Sequence, residues 1–341
     1  MKPESKNQEE KMRKQNLSLW EKFLWGVTAL GFYTTLGIIR ILPERCLPTL
    51  GDWLGVLGYY TIPHRQKIAQ ENIKRVYGSA LSPKQIKSMA KAAFKNISRD
   101  MMEVGLSYVF APDQRFLKKN ISVQGIENLD NALKKGKGVI AISAHLGNFP
   151  LISAKMAVLG YPFSLIAKAP KNIYLVDVFQ EWRHRLGIGV IPYKPRHRCV
   201  SESVKVLRKN GIIMMLIDQN ARKRYGVYVD FFDYQLPTYS GPIVLALRTG
   251  AALVPMFIHR NTNDTETLHV LPEITLNKDQ EVSENLRTIN VLCETWIKKY
   301  PDQWWWMHRR FRRAKKHFPR MTRSYDPRRI ISEHMLSTLR Q

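Results

Sequence analysis

Val139-Ile140-Ala141-Ile142-Ser143 runs straight into Ala144-His145-Leu146-Gly147-Asn148-Phe149-Pro150, and the reading of this stretch decides the fold. The first five residues are mostly apolar, rich in β-branched side chains and preceded by a Gly/Lys turn signal. They read as a buried strand. A tight glycine turn follows, then an apolar helical stretch opening at Pro150. A histidine between a strand end and a helix start is well placed to move a proton. Its ring titrates near neutrality, at about 6.5 when unperturbed, and the adjacent helix N-terminus favours developing negative charge. Alone, such a histidine reads first as a packed or capping residue; the rest of the chain shifts that balance.

Outward from this stretch, strand and helix patterns alternate. Strands are expected at 121–124, 138–143, 163–167, 188–191, 212–217, 253–258 and 268–271. Helices are expected at 149–159, 172–186, 198–209, 240–249 and 283–300. In the last, Leu286, Ile289, Cys293, Trp296, Ile297 and Tyr300 share one face. The pattern predicts an α/β fold, a largely parallel sheet sandwiched by helices. Ligands of such sheets gather beyond the carboxyl ends of the strands, where His145 and Asp218-Gln219 both fall.

The N-terminal third is different. From Phe23 to Ile39 no residue is charged, and extension to Leu42 gives about the length needed to cross a bilayer. Trp20, Phe23, Trp25, Phe32 and Tyr33 decorate it as at a membrane interface. The polar leader before it is long, and no small-x-small cleavage site follows. This reads as an uncleaved anchor, with a monotopic helix or buried hairpin as the other option. Leu47 to Ile62 is a second apolar stretch, too short to span. Ser82-Pro83-Lys84-Gln85 is a capping box opening a helix with Ile86, Met89, Ala90, Ala93, Phe94, Ile97, Met101 and Val104 on one face. The expected organisation is a disordered polar leader over 1–18, an anchor and apolar hairpin over 19–62, a helical segment over 63–112, an α/β domain over 113–313 and a basic tail over 314–341.

The chain has 341 residues, 44% of them apolar, enough for one large domain or two small ones. Its 54 Lys+Arg against 28 Asp+Glu leave a net charge of +26, which favours an anionic partner without choosing among nucleic acid, membrane or acidic protein. Cys46, Cys199 and Cys293 are far apart and form no C-x-x-C pair, so neither a disulfide framework nor a zinc site is indicated. P-loop, G-x-S-x-G and metal-spaced Cys/His patterns are absent. Gly187-Ile188-Gly189 is only a fragment of a dinucleotide fingerprint.

Three further segments carry chemistry. Ile212 to Ile217 ends in Asp218-Gln219-Asn220. A carboxylate at the end of a buried strand needs a partner, with Arg183, Arg222 and Lys223 as options, or it is a loop cap. Gly226 to Phe232 is apolar and aromatic, which suits an acyl chain or ordinary core. The run Pro301-Asp302-Gln303-Trp304-Trp305-Trp306-Met307-His308-Arg309-Arg310-Phe311 sets tryptophans beside arginines. Such a run can stack on nucleobases or meet lipid phosphates at a membrane interface.

Together these segments resemble the bacterial lipid A biosynthesis acyltransferases of the lauroyl/myristoyl type, within the lysophospholipid acyltransferase superfamily. The resemblance covers roughly 45–313 and rests on ordered blocks. They are Ser143 to Asn148; Arg183 before Leu186-Gly187; Asp218-Gln219 followed by Gly226 to Val229 and Phe231-Phe232; Gly241-Pro242 to Gly250, containing Arg248; Val254 to Phe257; and Pro301 to Trp304 with Trp306 and His308-Arg309-Arg310. It implies a glycerolipid acyltransferase-like fold. It also implies transfer of a fatty acyl group from acyl carrier protein or coenzyme A to a hydroxyl of an anionic glycolipid, a lipid A precursor. The setting implied is the bacterial inner membrane, with the catalytic domain facing the cytoplasm, no cofactor or metal, and no nucleic acid as partner. By the same resemblance His145 is the general base. Asp218 orients His145 or Arg183. Gly147 and Asn148 shape the turn and help the oxyanion, and Arg183, Gln219, Arg248, Arg309 and Arg310 meet substrate.

One position departs from the family. Its motif is His, four residues, then Asp or Glu, and here that fifth position is Pro150. Proline suits a first helical turn, so the fold need not suffer. Three readings stay open: another acid, Asp218 first, replaces the lost one; His145 works slowly alone; or catalysis is lost and lipid binding kept. A rival of another class is a nucleic-acid-binding protein built on the Trp/Arg terminus.

Overall fold

The computed structural model describes residues 18–110, 114–168, 170, 172–221 and 226–314. The leader up to residue 17, the basic tail beyond Ala314, and Arg222 and Lys223 lie outside the described residues.

Four helices come first. Helix α1 (Leu19–Ile41) opens at Ser18, whose Oγ accepts from the Glu21 N–H while the Glu21 carboxylate accepts from the Ser18 N–H. Helices α2 (Leu47–Thr61), α3 (Pro63–Tyr77) and α4 (Pro83–Val109) follow, the last with the expected Ser82/Gln85 capping box. Helix α2 lies on α4 through glycines. A Cβ on Gly55 would stand 2.5 Å from Lys95 Cα, and one on Gly51 2.9 Å from Arg99 Cα, so the two backbones touch. Asp52 then reaches Lys95 at 2.8 Å and Arg99 at 2.5 Å. The opposite face of α2 leaves Trp53, Leu57 and Tyr60 exposed, Trp53 by 72%. Helix α1 buries Ala29, Leu36 and Ile39 and exposes Trp20, Phe23, Leu30 and Ile41.

The rest alternates as the sequence predicts. In order come α5 (Arg115–Asn120), β1 (Ile121–Gln124), α6 (Ile126–Leu133), β2 (Val139–Ser143), α7 (Pro150–Val158), β3 (Phe163–Ala167), α8 (Val176–Arg185), β4 (Gly189–Pro192), α9 (Arg196–Arg208) and β5 (Ile212–Leu216). They are followed by β6 (Gly226–Phe231), β7 (Tyr234–Tyr239), α10 (Gly241–Thr249), β8 (Ala252–Arg260), β9 (Glu266–Val270) and α11 (Val282–Lys299). Seven strands form one sheet in the order β1-β9-β8-β2-β5-β3-β4. Every pairing in it is parallel except β8 with β9. Helix α1 is fastened along this domain: Asn172 Nδ2 donates to the Trp25 carbonyl at 2.9 Å, and the Phe32 and Phe179 rings lie 5.9 Å apart.

Strand β2 is central and fully buried, as a continuous apolar run in a parallel sheet should be. Its alternate residues feed the two faces. Ile140 and Ile142 join Trp296, Trp304 and Trp306; Val139 and Ala141 join Leu151, Ile152 and Trp182.

Strands β6 and β7 form a separate antiparallel hairpin that the apolar pattern did not announce. Its turn residues, Phe232 and Asp233, both have positive φ, 47° and 62°. Such turns normally advertise themselves with Asn-Gly or Asp-Gly, and neither is present here.

Candidate active site

The register of the central strands builds the site. Ser143 of β2 pairs with Leu216 of β5, so His145 and Asp218, each two residues further on, emerge level with one another. His145 Nδ1 lies 2.8 Å from Asp218 Oδ1, and the His145 backbone N–H donates to Asp218 Oδ2 at 3.0 Å. Trp304 Nε1 donates to that second oxygen at 2.8 Å. Burial works to raise the Asp218 pKa, but the facing imidazole and the three hydrogen bonds prevail and hold it at about 2. An ionised carboxylate can only accept. Nδ1 therefore carries the proton toward Asp218, which leaves Nε2 as the nitrogen turned away from the carboxylate. The Asp218 side chain is 2% exposed and that of His145 16%. The imidazole packs edge-on to Phe149, with ring centres 4.7 Å apart, and to Trp305 at 6.2 Å. The imidazole thus stands between two aromatic rings and keeps partial access to solvent.

The segment after α11 returns to brace this turn. Gly147 N–H donates to the Gln303 carbonyl at 2.9 Å, and Trp305 N–H donates to the His145 carbonyl at 3.0 Å. Leu146 and Trp304 form an isolated antiparallel bridge. Helix α3 holds the same segment from outside: Asn72 Nδ2 donates to the carbonyls of Trp306 and His308, both at 2.7 Å, and Arg65 to that of Met307 at 3.0 Å. Gly147 has φ +55°, and a Cβ there would meet the Ile258 carbonyl oxygen at 2.3 Å, so the turn needs glycine twice over.

Beneath the turn lies a buried ionic cluster. Arg260, at the end of β8, donates to Glu103 Oε1, to Glu103 Oε2 at 2.8 Å and to Asp100 Oδ1 at 2.6 Å. Glu266 stands 3.2 Å from the same guanidinium. The three carboxylates bring oxygens within 4.8 Å of one another, and the guanidinium is their common partner. Burial, with the other carboxylates adding to it, raises Asp100 to about 7 and Glu266 well above its usual range.

The expected residues fall into distinct places. His145 and Asp218 meet. Gly147 and Asn148 stand beside them with their donors engaged, Gly147 by Gln303 and Asn148 Nδ2 by Glu103 Oε2 at 2.8 Å. Gln219 follows Asp218, and its carbonyl accepts from Arg310 Nη1 at 2.9 Å. Arg310 is fully buried. It also donates to the Pro237 carbonyl and Thr238 Oγ1, and its guanidinium lies 4.8 Å from the Phe231 ring centre. Arg310 thus ties the Asp218 loop to the hairpin, and burial pulls its pKa down to about 10. Arg309 is exposed on the adjoining turn.

Two arginines lie elsewhere. The Arg183 carbonyl accepts from Ile188 N–H at the entry to β4, the edge strand. That is the amino end of the sheet, three strands from β2, or about 14 Å across. Arg183 is half-buried, its Nε has no hydrogen-bond partner, and burial lowers its pKa. Arg248 is exposed in the last turn of α10. That helix runs back along the sheet and ends at Gly250, where an added Cβ would lie 3.9 Å from Lys137 Cγ, close to the start of β2. Neither is brought to His145.

Asp218 takes His145 and Trp304 as partners rather than Arg183. Trp304 and Trp306 are buried, which removes them as stacking platforms for bases. Sequence reading missed Trp304 as a hydrogen-bond donor to Asp218, named Gln303 only as part of the Trp/Arg run without a role, and missed Glu103 and Arg260 altogether. A carboxylate on an apolar helix face and an arginine ending an apolar strand were the only signals available.

A family model described as bacterial lipid A biosynthesis acyltransferase matches residues 16–313. The chain is 26% identical over 282 residues to the lipid A biosynthesis lauroyltransferase of Escherichia coli (strain K12), covering 81% of this chain and 89% of that protein. It is 24% identical over the same length and shares to the lipid A biosynthesis palmitoleoyltransferase of that organism. It is 27% identical over 236 residues to the phosphatidylinositol mannoside acyltransferase of Mycolicibacterium smegmatis (strain ATCC 700084 / mc(2)155), covering 67% of this chain and 74% of that protein.

Proposed function

The chain belongs to the bacterial lipid A biosynthesis acyltransferase family, and from that premise we propose that it moves a fatty acyl chain from an acyl thioester, on acyl carrier protein or coenzyme A, to a hydroxyl of a lipid A precursor. It is an acyltransferase, and its relatives act on glycolipids of two kinds, lipid A and phosphatidylinositol mannosides. The lipid A relatives match more of the chain, 81% against 67%, and favour that acceptor.

The observation that carries the mechanism is the 2.8 Å contact between His145 Nδ1 and Asp218 Oδ1. His145 Nε2 takes the proton of the acceptor hydroxyl as its oxygen bonds to the thioester carbonyl carbon. The resulting oxyanion collapses, the carbon–sulfur bond breaks, and the departing thiolate recovers the proton from the imidazolium. Asp218 fixes the tautomer and stabilises the ring while it is charged. It does so although Pro150 occupies the position of the family's acid. Phe149 and Trp305 flank the base and favour the apolar acyl chain. The +26 charge favours an acidic carrier and an anionic lipid.

The setting is the cytoplasmic face of the inner membrane. Helix α1 is long and apolar enough to cross a bilayer, and the exposed Trp53, Leu57 and Tyr60 of α2 add a second apolar surface. Full-length protein in anionic vesicles, given an acyl thioester and a lipid A precursor, should form the ester and release the thiol. A deletion strain should lose one acyl chain from an envelope glycolipid. An unchanged acyl pattern in every envelope lipid overturns the proposal. Unchanged lipids in a His145→Ala strain favour the lipid-binding homologue that has lost catalysis.

A further inference from the structure

The residues after His145 sit inside a closed ring of contacts that nothing above assigns to the reaction. Gly147 N–H donates to the Gln303 carbonyl at 2.9 Å. The Gln303 side chain pairs with the Arg260 backbone in both directions, Arg260 N–H to Oε1 at 2.8 Å and Nε2 to the Arg260 carbonyl at 3.0 Å. The Arg260 guanidinium holds both oxygens of Glu103. Glu103 Oε2 accepts from Asn148 Nδ2 at 2.8 Å, and Asn148 is joined covalently to Gly147.

We propose that Glu103, a buried carboxylate on α4, is a positioning residue for the general base. It sets the course of the His145 turn through Asn148 on one side and through Arg260 and Gln303 on the other. The inference rests on the reading of His145 as the base.

Three observations carry it. First, burying three carboxylates around one guanidinium is costly, and apolar packing usually serves stability as well or better, so the arrangement suits fixing one geometry. Second, the ring grips the residues that follow His145, Gly147 through its N–H to Gln303 and Asn148 through its amide to Glu103, and these residues determine where the imidazole points. Third, Asn148 is fully buried, and its Oδ1 has no hydrogen-bond partner. Only the charge on Glu103 dictates which way that amide faces. Helix α7 has no acid in its first turn, so the negative charge beside its N-terminus comes from α4 instead.

The test uses full-length protein in vesicles with lauroyl coenzyme A as donor and a lipid A precursor as acceptor. The variants are Glu103→Gln, Asn148→Ala, their double, and Glu266→Gln as control. Glu266 touches the same guanidinium but lies outside the ring. Glu103→Gln leaves Asp100 and Glu266 to pair with Arg260. Asn148→Ala opens the ring without removing a charge, in case the first variant folds poorly. Both single variants should lower kcat about 10- to 100-fold and leave the donor KM within about twofold, the scale of a misplaced catalytic group. The double variant should be no worse than the worse single. Glu266→Gln should stay within about twofold of wild type. A second readout needs no turnover: the downfield Nδ1–H resonance of His145 in 15N-histidine-labelled protein, assigned by its loss in Asp218→Asn. It should broaden or vanish in the ring variants and persist in Glu266→Gln. Losses that multiply, equal effects of Glu103→Gln and Glu266→Gln, or an unchanged resonance in the ring variants would overturn the proposal. Protein that transfers no acyl group yet shows this resonance pattern would refute the acyltransfer reading and leave the positioning role standing.

Discussion

His145 and Asp218 are 73 residues apart in the chain, yet one carboxylate holds both the ring and the backbone of the histidine, at 2.8 Å and 3.0 Å. Replacing Asp218 by Asn keeps the shape but lets the wrong imidazole nitrogen carry the proton. Asp218→Asn should lower acyl transfer by about 10⁴-fold, close to the loss in His145→Ala, on the scale known for such orienting acids. Rates at matched amounts of folded protein check this, and wild-type activity in Asp218→Asn rules it out.

Pro150→Glu restores the family's spacing. Since Asp218 already occupies Nδ1, the added carboxylate should change the rate by less than about threefold. A gain of tenfold or more would mean that His145 lacks an effective partner in the native protein.

The same carboxylate ties stability to acid. The Asp218 pKa is depressed from 3.8 to about 2, so its contribution is present above pH 3.8 and lost as pH falls through 2. That shift corresponds to about 2 kcal/mol. His259 and His269, stacked 5.1 Å apart, are both lowered to about 4, chiefly by burial. Their contribution is present above 6.5 and lost as pH falls through 4. Asp100 and Glu266, raised by burial, act in the opposite sense over this range, so the histidine contribution is read as a difference in unfolding midpoint: relative to wild type, His269→Phe should gain stability as pH falls from 7 to 4. An equal slope in the variant would contradict the assignment.

Much of this was readable in advance, for a physical reason. Strands such as Val139–Ser143 and helices such as Val282–Lys299 declare themselves through periodicity, and with them the carboxyl-end location of His145 and Asp218. Their contact was expected, with Arg183 as the other partner for Asp218, but neither strand alone could decide it, because it depends on the pairing of Ser143 with Leu216, and register is a property of two strands rather than one. Trp304 was hidden: a tryptophan beside arginines suggests an interface, whereas its indole is spent inside on Asp218. Arg183 and Arg248 show what linear reading leaves open. Each lies in a block of the family pattern, yet each helix carries its arginine back to the amino end of the sheet.

Gly147→Ala combines a positive φ with a Cβ 2.3 Å from a carbonyl oxygen. It should cost at least about 2 kcal/mol in stability and most of the activity. Thermal unfolding beside turnover measures both; a stable, active variant would mean that the turn adapts.

Trp53→Ser, Leu57→Ser and Tyr60→Ser together remove exposed apolar surface from α2 without touching its glycine face. The triple variant should bind anionic vesicles at least about tenfold more weakly with an unchanged melting point. A reporter fused at residue 120 should read as cytoplasmic; a periplasmic signal would reverse the proposed orientation.

The brace of the His145 turn by Gln303, Trp304 and Trp305 also has a temporal meaning. During synthesis α1 leaves the ribosome before any strand of the sheet is made. The strands that bear His145 and Asp218 follow, but the indole that completes the carboxylate's hydrogen bonds arrives 86 residues after Asp218. A chain that stops short of Trp304 therefore carries an unassembled base. Competence arrives in a single step, when the end of the fold closes over its middle.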